Sequence, residues 1–138
     1  MATVSLAATD SQAITITLTS VTNGSTATSS AIDNSTNLYV SALVKVQVKT
    51  NASGTSATGS CSVFLIRSTD GGTAYDDGLF LGSLATVANA TTYTRIFSTE
   101  PLGPLGTKWK IAVVNNSGAT LDASTGGAQF TGVKFTVA

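Results

Sequence analysis

The sequence predicts an all-β protein: a single antiparallel β-sandwich of jelly-roll type, with about eight strands, occupying residues 1–138 as one domain. Three observations carry that prediction. Apolar and polar residues alternate at a period of two through most of the chain, most clearly in LYVSALVKVQVKT, Leu38 to Thr50. Turn-rich segments recur at spacings of roughly 8 to 12 residues. No stretch combines helical periodicity with caps. Immunoglobulin-like topology is the alternative, because strand count alone does not choose between two sandwich topologies.

The first strand is QAITITLTSVT, Gln12 to Thr22, where Ile14, Ile16 and Leu18 alternate with threonines. A polar stretch follows, Asn23 to Asn37, anchored by Ile32, and reads as a loop that crosses between sheets or touches a neighbouring subunit. The central strand places Leu38, Val40, Ala42, Val44, Val46 and Val48 on one face, with Tyr39, Lys45, Gln47 and Lys49 opposite. Its valines are β-branched and pack well on a pleat. NASGTSATG, Asn51 to Gly59, is a turn, and SCSVFLIRS, Ser60 to Ser68, is a strand apolar on both sides, hence central or covered by a partner.

TDGGTAYDDG, Thr69 to Gly78, is the densest turn signal. Leu79 to Val87 and Thr91 to Ser98 are further strands, the first interrupted at Gly82 and the second with Tyr93, Arg95 and Phe97 opposed to Thr94 and Ile96. Pro101 and Pro104 stop pairing, since proline cannot donate to a ladder. Trp109, Ile111 and Val113 share a face of the next strand, and Asn115 to Gly127 is a second polar connection. In the last strand Val133, Phe135 and Val137 alternate while Phe130 is out of phase. A bulge at Gly132 is expected to repair the register.

Composition excludes several function classes. Charged residues make up 10% of the chain and the net charge is zero, so no basic cluster points to nucleic acid or an anionic membrane. Polarity comes instead from 24 threonines and 17 serines. No run of 18 apolar residues exists to cross a membrane as a helix, and the opening MATVSLAATD lacks the basic and apolar regions of a signal peptide. There is no histidine and only one cysteine, Cys61, which reads as a buried strand residue. Zinc sites and Ser/His or Cys/His catalysis are thereby removed.

Three constellations remain to be weighed. Asp70, Asp76 and Asp77 lie in one turn, where they would either ligate calcium or bond their own backbone, and the turn reading is favoured. Asp76 or Asp77 acting with Glu100 as a glycosidase pair would need its carboxyls about 5 to 10 Å apart in a cleft. Tyr39, Tyr75, Tyr93 and Trp109 are the candidates for a sugar platform, Trp109 being better placed in a core. The sequons at Asn23, Asn34, Asn51, Asn89 and Asn115 follow from abundant Ser and Thr. No catalytic residue, cofactor site or metal site is assigned.

Ser68-Thr69-Asp70-Gly71-Gly72-Thr73-Ala74-Tyr75 resembles the Asp-box, a structural hairpin turn that recurs in the blades of sialidases and other propellers. It implies a hairpin from Ser60 to about Val87 and carries no catalytic residue. More broadly, the hydroxyl-rich, charge-poor strands, the RSTDGGTAYDDG hairpin after SCSVFLI and the closing VVNNSGATLDASTGGAQFTGVKFTVA resemble the small β-sandwich virion proteins of tailed bacteriophages. That resemblance implies a structural virion protein made in the host cytoplasm, most specifically a capsid decoration or cement protein. Its partners would be the major capsid protein or other virion proteins, and copies of itself, with a trimer favoured. A neck or tail protein, or a carbohydrate-binding tail module, is the alternative.

Overall fold

The computed structural model describes residues 2–51, 59–87 and 89–137. Among the described residues, ten strands form two antiparallel sheets. They are β1 Val4–Ala8, β2 Gln12–Ile14, β3 Thr26–Thr28, β4 Ile32–Asp33, β5 Ser41–Thr50, β6 Gly59–Ser68, β7 Leu79–Thr86, β8 Thr92–Ser98, β9 Lys108–Asn116 and β10 Leu121–Val137. One sheet runs β1-β10-β5-β8, with β2 also on β10, and the other runs β3-β9-β6-β7, with β4 also on β9. Taking β1/β2 and β3/β4 each as one interrupted position leaves eight positions, ordered 1-8-3-6 and 2-7-4-5. That is the order of a jelly roll, in which sequence neighbours lie in opposite sheets except at the β6–β7 hairpin.

The core lies between the sheets and is built from the faces that alternation marks. β5 contributes Ala42, Val44, Val46 and Val48, β6 contributes Cys61, Val63 and Leu65, and β9 contributes Trp109, Ile111 and Val113, all buried. Each buried valine adds about 1.5 kcal/mol or more by leaving water. Trp109 meets the Phe130 ring edge-on at 5.1 Å between centroids, which seats β9 of one sheet against β10 of the other. β6 lies between β9 and β7, which closes both its edges, while its outer face, with Phe64 and Ile66, is only half-buried. A register shift sits between Val63 and Phe64. There Gly82 leaves room for the Phe97 ring, which would stand 2.4 Å from any Cβ at that site.

Several expectations are corrected. The central face does not extend back to Leu38: that residue takes a left-handed φ of 55°, is exposed, and reverses the phase, so Tyr39 is buried instead. Tyr39 lies flat on Gly132, where a Cβ would come within 2.7 Å of its ring. β10 pairs with β5 without a break from Gly126 to Val133, so Gly132 makes no bulge and serves as the floor for Tyr39. The irregularity falls earlier, between Leu121 and Gly126. There Asp122 accepts the N–H groups of Ser124 and Thr125 at 3.0 and 2.9 Å and closes a local turn.

The strand expected from Gln12 to Thr22 ends at Ile14, after which the chain leaves the sheet and Leu18 inserts into the core. Val4–Ala8 is a strand that alternation did not mark. Both polar stretches read as loops are woven into the sheets, Asn23 to Asn37 in part through β3 and β4, which pair with β9, and Asn115 to Gly127 for most of its length, since β9 ends at Asn116 and β10 begins at Leu121. The expected turn from Asn51 to Gly59 falls mainly on 52–58, outside the described residues.

Candidate functional site

Two features were candidates for function: the aspartate-rich turn after β6, and the outer faces of the sheets. The turn is organised by Ser68, which is buried at the end of β6. Its hydroxyl donates to Asp70 Oδ1 at 2.7 Å and accepts the Gly72 N–H at 2.9 Å. Asp70 Oδ1 also accepts the Ala74 N–H at 3.0 Å. Thr107 ties the turn to β9, donating its N–H and hydroxyl to Ser68 O and accepting the Gly71 N–H. The hairpin that the Asp-box resemblance implies is present, with β6 and β7 paired from Gly59 to Leu65.

Asp76 is committed in the same way. It accepts the Arg67 N–H at 3.0 Å, the Arg67 Nε–H at 3.1 Å and the Gly78 N–H at 3.2 Å. The Arg67 guanidinium then reaches across to the carbonyls of Leu102 and Pro104. Partial burial pushes the Asp76 carboxyl up, but the Arg67 and Gly78 donors outweigh it and hold the group below its ordinary value. A general acid needs the reverse shift. Asp70 is lowered by the Ala74 N–H and the Ser68 hydroxyl. Among the described residues no three acidic, cysteine or histidine side chains gather as metal ligands. The recess beside the turn, lined by Arg67, Tyr75, Asp76 and Pro104 among others, is therefore walled by groups that already bond one another.

These bonds predict acid sensitivity. Asp33, Asp70, Asp76 and Asp122 all have lowered carboxyl pKa values in the folded chain, Asp122 through Ser124 and Asp33 through Ser35. A lowered folded value adds stability that is present above the unfolded value of 3.8 and is lost as pH falls through the folded one. With no histidine to titrate, the thermal midpoint is expected to stay level between about pH 5 and 8 and to drop below about pH 4. Replacing Asp76 with asparagine should flatten part of that acid limb; an unchanged slope would contradict the role given to Arg67.

The sugar platform does not form as a set. Trp109 and Tyr39 are core residues, Tyr93 accepts the Val87 N–H through its hydroxyl, and the Tyr75 ring lies under Lys110 at 4.1 Å. Two sequon asparagines prove to be buried staples, a role that their spacing does not signal. Asn34 binds Tyr39 through both its N–H and its carbonyl and also reaches Gly106 O. Asn115 donates to Val21 O and Ala119 O, each at 2.8 Å, and accepts the Ser117 N–H. Cys61 also points at Asn115, and burial pushes its thiol up to about 11. Thiol reagents are accordingly expected to label Cys61 only when the chain unfolds; prompt labelling of the native protein would contradict its position.

No protein-family model, curated protein or solved structure matches the chain. What the fold presents outward then carries the functional reading. On the β6–β7 side Phe64 and Phe80 meet edge-on at 5.7 Å, and Phe80 is exposed. On the β1–β10 side Val4, Leu6, Phe135 and Val137 are all strongly exposed, and Ile96 and Leu43 stand on the outer face of β8 and β5. No helix of the described chain is long and apolar enough to cross a membrane.

Proposed function

We propose that this chain is a structural protein of a tailed-phage particle, a decoration or cement protein that binds the major capsid protein and stabilises the shell. It works by contact area rather than by chemistry. The observation that carries this reading is the placement of the side chains: the carboxylates of Asp70 and Asp76 and the buried amides are consumed in holding the fold, while large apolar side chains stand uncovered on both sheets. Exposed apolar patches on a rigid domain mark contact surfaces. A near-neutral chain with few charges also has little colloidal protection when free. The sequence resemblance supplies the virion setting and the expectation of several copies per assembly, a trimer being favoured.

Co-sedimentation with empty capsids tests the proposal. Saturable binding at a fixed ratio to the major capsid protein, with capsids that withstand more heat once loaded, is the expected result. Binding to isolated tails alone would move the protein to the neck or tail, and binding to neither would end the virion reading.

A further inference from the structure

The last strand changes its apolar side part-way along. Up to Phe130, the residues of β10 that face the other sheet are apolar, with Ala128 and Phe130 buried, and those facing outward are polar, Gln129 and Thr131. Beyond Gly132 the pattern inverts. Lys134 and Thr136 now fall on the inner side, and Val133, Phe135 and Val137 on the outer. The pairing with β5 ends at Val133, so 134–137 have only β1 beside them. β1 matches the inversion: Val4 lies opposite Val137, Leu6 opposite Phe135 and Ala8 opposite Val133. The result is a two-stranded ribbon with one apolar face, directed away from the protein's own core.

We infer that this apolar face is the contact through which copies of this chain associate. Val4, Leu6, Phe135 and Val137 are 63, 64, 61 and 70% exposed. Together they leave on the order of 400 to 500 Å² uncovered, as much as the largest patch on a typical monomer. That is more than half of the about 800 Å² that a stable interface takes from each partner. A recess of about 250 Å³ continues the face past Leu6, Phe135 and Val133 to Val40 and Pro104, with Glu100 at its rim.

Two features select a copy of the same chain as the occupant. The ribbon's own face carries no charged side chain, Lys134 being on the opposite side and Glu100 only bordering the recess beyond it, so like meets like across the ribbon without repulsion. β1 is moreover an edge strand, and its sequence VSLAA has none of the lysine, proline or bulge that exposed edges carry against unwanted pairing. A two-stranded ribbon alone in water is marginal, so covering the face also secures the ribbon. This inference gives a place to the self-association included in the proposed function, and it fails separately from the virion reading, since self-association requires no capsid.

Sedimentation of the purified chain from the micromolar to the millimolar range tests it. The expected mass is a fixed multiple of one chain, and Phe135→Ala should weaken association about tenfold or more. The double variant L6K/F135K should sediment as a single chain with an unchanged β-sheet circular dichroism spectrum, because neither residue belongs to the core. A wild-type chain that is monomeric throughout overturns the inference, as does an assembly unaffected by Phe135→Ala. A monomer that still binds capsids would remove this inference and leave the proposed function. An assembly that ignores capsids would support this inference and remove the proposed function.

Discussion

Replacing Trp109 with alanine is expected to cost about 3 to 5 kcal/mol, the upper part of the range for large-to-small core changes. Trp109 is fully buried, and Phe130 of the facing sheet packs edge-on against it. Removing the indole opens a cavity between two sheets whose backbones are each held by long ladders, so the site has little freedom to collapse. For a domain of this size the thermal midpoint should fall by roughly 10 °C or more. Trp109→Phe makes a sharper comparison. The indole Nε1–H has no hydrogen-bond partner among the described residues, so phenylalanine forfeits volume while also removing an unsatisfied buried donor. The phenylalanine variant should therefore recover most of the loss. A cost below about 1 kcal/mol for the alanine variant would contradict the packing described.

Asn115→Ala is expected to cost about 1 to 3 kcal/mol, for a different reason. The side chain fills no large volume but closes four bonds: to Val21 O, Ala119 O, the Ser117 N–H and the Cys61 thiol. Truncation leaves the buried Ser117 N–H without its acceptor, at a cost of about 1 to 3 kcal/mol, and takes one of two donors from Val21 O and Ala119 O, which keep the Leu121 N–H and the Ser117 hydroxyl. Asn115→Asp keeps the shape but loses both donors and buries a charge, so it should be at least as destabilising as alanine. If the aspartate variant melted near the wild type, Asn115 would not be the staple that joins the end of β9 to segment 18–21 and the start of β10.

These two residues also mark how much of the fold the sequence discloses. Trp109, Ile111 and Val113 were legible as a core face because strand alternation is local and needs no partner to be read. The same holds for Val44 to Val48 and for Cys61 to Leu65. Asn115 and Asn34 were not legible, because a polar residue in a polar stretch gives no sign that its amide will replace a missing ladder. β1, β3 and β4 escaped for a related reason: they are only two to five residues long, and become strands only through their partners in β10 and β9. Leu38 misled because a single left-handed residue reverses the phase of the strand after it, and nothing in its side chain announces that.

The aspartate turn was read correctly as a hairpin, yet its key hydrogen-bonding residues, Ser68 and Thr107, come from strand ends 39 positions apart. The phase change in β10 was visible as a mismatch between Phe130 and the Val133, Phe135 and Val137 series. It misled only because one strand was assumed to have one buried face, so a bulge was invoked to restore it. The ribbon instead keeps both phases, one for the core and one for the outside.

The proposal that this protein is a part of a phage particle, acting through contact surfaces, is put to the test by quantitative mass spectrometry of gradient-purified particles. Peptides of this chain are expected at a fixed ratio to the major capsid protein, retained through repeated banding. Particles that carry none of it, or that lose it progressively on washing with no fixed ratio, would contradict the claim.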